Sequence, residues 1–313
     1  MTVSAVKIIQ PGEIQGLPDD ETPLLVLPLA KEVLKERFTR LEQLSKDGSL
    51  KDWLGFCAKV AKAQLDSIDE VASESLEENV VRESLKHGMP PASIGTWKAG
   101  ADWDHAFELL TKALLAQELP EPARKILEVF KGSNGAELRQ MAEQFLQADE
   151  RKIKPEWAPF IGAILQMIWM QKVAQLAPYA SSYKGQSTLC PVCGSHPIAS
   201  VVRVGTRDAH RYLVCSLCSS EWYASRARCT NCETPKEVNM LGETKESLVQ
   251  GECCDDCHGY LKIMYQSRDP MMEVMADDLA SIQVDLALSN EGYQRTGRNM
   301  FFMVGDETVE KDS

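Results

Sequence analysis

Eight of the ten cysteines form four C-x-x-C pairs, and these are the residues best placed to do chemistry. The pairs are CPVC, CSLC, CTNC and CDDC, and their members are Cys190, Cys193, Cys215, Cys218, Cys229, Cys232, Cys254 and Cys257. Two cysteines three positions apart can wrap a tight turn, and two such turns can present four thiolates to a tetrahedral metal ion. In a reducing compartment, a local cluster of this kind predicts metal binding before it predicts disulfides.

The spacing of the pairs reveals an internal duplication. The spacers from Cys193 to Cys215 and from Cys232 to Cys254 are both 21 residues long, so each cysteine of the first set recurs 39 positions later. A repeat of this kind favours two sequential sites, each built from one copy of a metal-ribbon pattern. A cross-braced pairing would interleave the copies and would leave the equal spacers without a reason.

The stretch GECCDDC contains a ninth clustered cysteine. The register of the repeat matches Cys254 and Cys257 to ligands of the first copy, whereas Cys253 corresponds to Val214. Cys253 is therefore predicted to be a spare thiol beside the turn, pointing away on a hairpin strand. Cys57, on the apolar face of an N-terminal helix, is interpreted as a small buried hydrophobic residue.

The spacing does not decide which metal is bound, because a tetrathiolate site suits both zinc and iron. In CPVCG, Gly194 is free to adopt the positive φ of a rubredoxin-type turn. The other pairs are followed by Ser219, Glu233 and His258, so this signature occurs once in four. His258 and His196 lie near cysteine pairs, but eight thiolates already fill two sites.

The segment 201–228 is rich in arginine. It carries two acidic residues, Asp208 and Glu221, against five arginines: Arg203, Arg207, Arg211, Arg226 and Arg228. These arginines either offset the formal negative charge of each loaded tetrathiolate site or form a basic face for a partner. The sequence leaves both interpretations open.

The predicted secondary structure that positions the cysteines changes along the chain from helices to short strands and back to helix. Residues 1–185 are predicted to be helical, with runs at 30–44, 72–87, 102–117, 122–131, 135–148 and 157–177. The apolar run APFIGAILQMIWM is shorter than the roughly 20 residues of a membrane span and is interpreted as a buried core helix. Short β-type runs then alternate with the cysteine turns. After residue 270, Met275, Leu279, Ile282 and Leu286 predict one C-terminal helix.

Composition narrows the function classes. The chain has 313 residues, 44% hydrophobic and 26% charged, within the range of soluble globular proteins. Its formal net charge of −12 argues against nucleic-acid binding. No apolar leader segment is evident, so we expect a cytoplasmic protein without membrane insertion. No phosphate-binding loop or nucleophile motif is evident, so we expect a protein that is not an enzyme.

In its cysteine-rich region the chain resembles the formate dehydrogenase accessory (formation) proteins. The resemblance rests on LCPVCGSHP, RYLVCSLCSSEW, RCTNCE, CDDCHGYLKIMYQ and ADDLASIQVDLAL, in that order over residues 188–288. It implies an α+β fold with an all-helical domain (1–185), two rubredoxin-like, four-cysteine subdomains (186–226 and 227–268) and a C-terminal helix and tail (269–313). It also implies iron at both sites.

The function implied by the resemblance is that of a maturation factor. Such a factor is required for the activity of respiratory formate dehydrogenase and binds its catalytic subunit in the cytoplasm before export; a homodimer is left open. A rubredoxin-type electron carrier is the first alternative, favoured by CPVCG. A zinc-ribbon nucleic-acid adaptor is the second, consistent with the arginines but opposed by the net charge.

Overall fold

The computed structural model describes residues 2–4, 23–149, 153–183, 185, 187–204, 210–225, 228–236 and 238–303. Its helices are α1 (Ala30–Leu44), α2 (Lys51–Ser67), α3 (Glu78–Lys86), α4 (Ala101–Leu115), α5 (Glu121–Lys131), α6 (Gly135–Leu146), α7 (Ala158–Ala174), α8 (Val274–Ala280) and α9 (Ile282–Asn290). Short 3-10 turns occupy Ile68–Glu70, Ile94–Thr96, Pro155–Trp157 and Ala177–Ser182. Most of the described N-terminal region is helical, as predicted.

Helix α7 forms the centre of the helical region. Its sequence is apolar all round, and nearly every side chain from Ala158 to Val173 is buried. A helix without a polar face must be covered on all sides, and α7 contacts α2, α4 and α6. The prediction of a buried core helix is confirmed. None of the described helices is long and apolar enough to cross a membrane.

Gly162 allows the C-terminal segment to pack directly on α7. A Cβ added there would lie 1.9 Å from the carbonyl oxygen of Met300. Gly162→Ala is therefore expected to destabilise the protein by about 1–3 kcal/mol, the typical cost of overpacking. Gly55→Ala in α2 is the control, since its nearest neighbour would be Ser45 Cβ at 3.7 Å. In urea unfolding, Gly55→Ala should raise the free energy of unfolding, because alanine favours the helix more than glycine does. Equal effects of the two changes would contradict the packing argument.

The strands join one antiparallel-rich sheet. They are β1 (Thr2–Ser4), β2 (Leu25–Val26), β3 (Pro197–Val202), β4 (Arg211–Cys215), β5 (Glu221–Tyr223), β6 (Val238–Gly242), β7 (Val249–Cys254), β8 (Gly259–Tyr265) and β9 (Gln294–Arg295). The described strands follow the order β1-β6-β7-β8-β3-β4-β5-β2, and β9 pairs with β8.

The duplication is visible in this order. Each copy contributes a three-stranded antiparallel unit, β3-β4-β5 or β6-β7-β8. The units meet where β3 and β8 run parallel, with Ser200 opposite Ile263. A buried ion pair between Arg211 and Glu252 spans the junction, and Ser200 Oγ donates to Glu252 Oε2 at 2.7 Å. The sheet is thus continuous across the boundary expected near residue 226, and the division into subdomains stays a prediction.

The N-terminal half is not entirely helical, because β1 pairs with β6 and β2 pairs with β5. The helix expected from residue 72 begins only at Glu78. Residues 71–77 have no helical structure, and side chains satisfy part of their backbone. The Ala72 N–H donates to His105 Nδ1 at 3.2 Å, and the Leu76 N–H donates to Gln175 Oε1 at 3.0 Å.

The single C-terminal helix predicted from the apolar stripe is wrong. The helix breaks at Ser281, which separates α8 from α9, and Leu286 of the stripe is 64% exposed. Lys262 Nζ donates to the carbonyl oxygen of Asp278 at 3.0 Å, and Ser281 Oγ donates to that of Asp277 at 2.7 Å. These side-chain donors take carbonyls that a continuous helix would use for its own backbone N–H groups.

Candidate metal centres

The eight cysteines of the C-x-x-C pairs come together as two separate groups. The first contains Cys190, Cys193, Cys215 and Cys218, and the second contains Cys229, Cys232, Cys254 and Cys257. Within each group all sulfur atoms lie within 4.8 Å of one another. This is the sequential grouping that the repeat predicts, and the cross-braced alternative is not observed. In each copy one pair precedes the first strand and the other joins the second strand to the third.

The sulfur spacing fits a metal ion. A tetrahedron with metal–sulfur bonds of about 2.3 Å has sulfur–sulfur edges of about 3.8 Å. The Sγ–Sγ distances are 3.7 Å for Cys190–Cys218 and 3.4 Å for Cys193–Cys215 in the first cluster, and 3.9 Å for Cys229–Cys257 and 3.8 Å for Cys232–Cys254 in the second. A disulfide would require about 2.05 Å. The donor set and its dimensions therefore suit a tetrahedral thiophilic ion.

Backbone amides point at several sulfurs. The N–H groups of Leu217 and Cys218 each lie 3.4 Å from Cys215 Sγ, and the Asn231 N–H lies 3.4 Å from Cys229 Sγ. Hydrogen bonds to sulfur favour its charged form. The turns thus stabilise the thiolates that a metal site requires.

All four turns are followed by a residue in the left-handed conformation, although only one of these residues is glycine. The residues that follow the pairs have positive φ: Gly194 (80°), Ser219 (59°), Glu233 (59°) and His258 (52°). The rubredoxin-type signature found once in the sequence is thus present four times in the structure. Residue type could not show this, because three non-glycine residues occupy a left-handed conformation that costs about 1–2 kcal/mol each.

This conformation predicts opposite responses at equivalent positions of the two copies. Glu233 is exposed, and Glu233→Gly should stabilise the loaded protein by up to about 1 kcal/mol by removing the left-handed strain. Gly194→Ala should destabilise it by about 1 kcal/mol by introducing that strain. Thermal unfolding of the metal-loaded variants measures both effects. Loss of stability in both would mean that φ is not the controlling factor.

The first cluster is enclosed by the helical region. Its four cysteines are at most 2% exposed. The N–H groups of Ala92 and Ile94 donate to the carbonyls of Val192 and Cys193, both at 2.9 Å. Trp169 of α7 fixes this contact by donating from Nε1 to the Ala92 carbonyl at 2.9 Å. The first turn is therefore attached to the central helix through one intervening segment.

A buried polar chain attaches the other turn of the first cluster. Gln166 of α7 donates from Nε2 to the carbonyl of Ser216 at 2.9 Å. Arg37 of α1 donates to Gln166 Oε1 and to Ser219 Oγ, both at 3.2 Å, and pairs with Glu273 at 3.1 Å. Removing one partner of such a network leaves a buried polar group unsatisfied. Sequence reasoning missed this network, because its members are distant in the chain and form no motif.

The second cluster lies at the surface. Cys232 is exposed and Cys257 is half-buried, whereas Cys229 and Cys254 are buried. Side chains connect its two turns, with Asp256 accepting from Thr234 Oγ1 at 2.6 Å and from Lys236 Nζ at 3.0 Å. These bonds are exposed to water, unlike the buried network at the first cluster.

Each cluster combines thiols with raised and with lowered pKa values. Burial raises the pKa of the Cys190 and Cys193 thiols well above the ordinary value, and it raises the pKa of Cys229 in the second cluster to about 12. Hydrogen bonds outweigh burial at Cys218, whose pKa lies well below the ordinary value, and at Cys257, where bonds from the Asn231 amide and the Gly259 N–H lower the pKa to about 7. An ion entering either cluster must displace tightly held protons.

The remaining candidate residues lie outside the sulfur clusters. Neither cluster contains a histidine among the described residues. Cys253 is fully buried on β7, where it packs with Leu241, Tyr260 and Leu288. Its placement outside the cluster agrees with the repeat register. Cys57 is fully buried in the core, as expected.

Of the three described arginines in the segment 201–228, Arg203 and Arg211 pair with carboxylates, whereas Arg228 is exposed. Arg203 pairs with Glu221, and Arg211 is buried against Glu252. These contacts favour the structural interpretation over partner recognition for these two residues. Arg207, Asp208 and Arg226 lie outside the described residues.

Comparisons with known proteins match this chain along nearly its full length. Three family models match: "FdhE, N-terminal" at residues 22–185, "FdhE, central domain" at 189–226 and "FdhE, C-terminal domain" at 227–302. "Protein FdhE" of Escherichia coli strain SMS-3-5 is 34% identical over 312 residues, covering 98% of this chain and 99% of the relative. "Protein FdhE" of Salmonella arizonae is 33% identical over 308 residues, with the same two coverages.

A solved structure of an FdhE protein also resembles this chain. The crystal structure of the FdhE protein from Pseudomonas aeruginosa superposes with a TM-score of 0.81 at 29% identity. The superposition covers 90% of this chain and 100% of that one. The similarity thus includes the helical region, where the sequence alone offered no sharp motif. The chain belongs to the FdhE family.

Proposed function

We propose that this protein is a non-catalytic cytoplasmic factor required for the maturation of respiratory formate dehydrogenase. It would bind the catalytic subunit of that enzyme before export. The observation that carries the proposal is the pair of sequential four-cysteine clusters within a chain that matches FdhE proteins along nearly its full length. The proposal joins this family membership to the role implied by the resemblance in the cysteine-rich region.

The metal sites belong to the same proposal. Cys190, Cys193, Cys215 and Cys218 would hold one ion, and Cys229, Cys232, Cys254 and Cys257 would hold the second. We propose iron, with zinc as the alternative, because the resemblance implies iron while both metals suit four thiolates. Bound iron would supply a one-electron centre, whereas zinc would supply only structural stabilisation.

Complementation tests the maturation role. A bacterium that lacks its own FdhE should regain formate-dependent dye reduction when it expresses this chain. The catalytic subunit, carrying its export signal, should then co-purify with the tagged chain from the cytoplasmic fraction. The matched control is the same host with the empty vector. Failure of the subunit to bind in either the metal-loaded or the metal-free state would refute the assignment.

A rubredoxin-type electron carrier is the second candidate, and the turn geometry favours it. All four turns have a left-handed residue, although the sequence predicts one only after CPVC. This candidate predicts a reversible one-electron couple in the iron-loaded protein, measured by voltammetry. A protein that binds metal but shows no such couple would exclude the carrier and leave the maturation role intact.

A further inference from the structure

We propose that Cys232 is the exchangeable ligand of the second cluster, and that an exogenous thiolate can take its place on the bound metal. The inference rests on the proposed metal sites and adds a ligand-exchange function to one of them. The incoming thiol would be carried by a neutral or positively charged molecule. The first cluster would keep its four ligands under the same conditions.

The duplication supplies an internal comparison for Cys232. Its counterpart 39 positions earlier is Cys193, which has the same place in its turn. Cys193 is 0% exposed, whereas Cys232 is exposed and alone in that respect among the eight described cluster cysteines. Two residues with the same local role therefore differ in their access to solvent.

The attachments of the two turns differ in the same way. The first turn is fixed by the Ile94 N–H, which donates to the carbonyl of Cys193 itself. On the second turn, Asn231 and Glu233 on either side of Cys232 are exposed. Cys232 Sγ lies 3.8 Å from Cys254 Sγ, a neighbour within its own cluster. Cys193 could move only if its buried hydrogen bond with Ile94 broke. Cys232 could move away from a bound ion without breaking a contact of that kind.

The exchange is a ligand substitution without change of oxidation state. The incoming thiol would lose its proton to solvent, and its sulfur would replace Cys232 Sγ among the four sulfurs that hold the ion. Cys232 would leave as a thiolate and take a proton from solvent. The coordination number and total charge of the site are unchanged when the incoming molecule is otherwise neutral.

Charges near the opening determine which thiols fit. Glu233 is exposed beside Cys232, and Asp255 and Asp256 lie in the facing turn, where Lys236 pairs with Asp256. Arg228 lies near Glu233, so these three carboxylates face two cations, Arg228 and Lys236. Together with the formal −2 of four thiolates on a divalent ion, the surroundings remain negative. A positively charged thiol is therefore attracted and a carboxylate-bearing thiol repelled, and added salt should reduce the difference.

Alkylation of the wild-type protein is the first test. The full chain loaded with two zinc ions is treated with N-ethylmaleimide, and each cysteine is followed by mass spectrometry. Cys232 is expected to react at least about tenfold faster than Cys193, because it is the exposed member of the matched pair. Equal rates would overturn the inference. Failure of the chain to bind zinc at all would instead refute the ligand assignment, so the two failures are distinguishable.

Rescue by added thiol is the second test. Cys232→Ala should retain two zinc ions with millimolar cysteamine, fewer with 3-mercaptopropionate, and about one without thiol. The matched variant Cys193→Ala should lose one zinc under all three conditions. Absence of rescue by cysteamine overturns the inference unless the formate dehydrogenase catalytic subunit restores the metal. Rescue by that subunit, but not after its cysteines are alkylated, would identify a partner cysteine as the source of the thiolate.

Discussion

Replacing Cys215 with alanine is expected to remove one metal ion per chain and to unfold the junction between helices and sheet. Metal binding at a structural tetrathiolate site contributes about 10 kcal/mol or more at neutral pH, which is comparable with the whole stability of a typical domain, about 5–15 kcal/mol. The first cluster is also buried against segments held by Gln166 and Trp169 of α7. Elemental analysis and far-ultraviolet circular dichroism would measure the loss.

The repeat provides two controls for this change. Cys254→Ala, the equivalent change in the second copy, should also remove one ion but leave most of the helical signal, because its cluster lies at the surface. Cys253→Ala should leave both ions in place, since Cys253 packs with Leu241, Tyr260 and Leu288. Loss of metal from Cys253→Ala with retention in Cys254→Ala would mean that the register of the repeat is wrong.

Lys262→Met is expected to destabilise the protein by about 3–5 kcal/mol, the usual cost of removing one partner from a buried ion pair. Lys262 is fully buried, with Nζ 2.6 Å from Asp285 Oδ2 and 3.2 Å from Asp278 Oδ1. The change removes positive charge beside both carboxylates, and it removes the donor that occupies the Asp278 carbonyl in the last turn of α8. Chemical denaturation of the metal-loaded protein measures the difference.

The matched control is Lys62→Met in α2. Lys62 pairs with Asp66 one helical turn away, and both side chains are substantially exposed. Exposed pairs of this kind contribute about 0.3–0.5 kcal/mol. A similar loss for both lysines would show that the buried network around Lys262 adds nothing beyond a surface pair.

The cysteine clusters could be predicted from sequence because their information is local and repeated. Equal spacers fix the register, and the register selects both the sequential grouping and Cys253 as the spare thiol. The apolar sequence of α7 likewise allows only a helix covered on all sides. In each case the physical constraint is contained in a short window of the chain.

Other features depend on contacts between distant residues. The helix break at Ser281 lies beside a hydrogen bond from Lys262 on β8 to the Asp278 carbonyl, and the first cluster is held by contacts from Ala92 and Arg37. The left-handed turns after three of the four cysteine pairs are imposed on residues that do not favour that conformation. The different exposure of Cys193 and Cys232 arises because one copy faces the helices and the other faces solvent. Identical spacing cannot reveal that difference.

Metal content of the protein purified without air tests the central claim most directly. Elemental analysis with an absorption spectrum should give two metal ions per chain, and thiolate-to-iron charge-transfer bands if the metal is iron. A content of two zinc ions would support both metal sites and would exclude the electron-carrier alternative. A soluble, folded chain with no bound metal, or one in which the eight cysteines are joined as disulfides, would contradict the account.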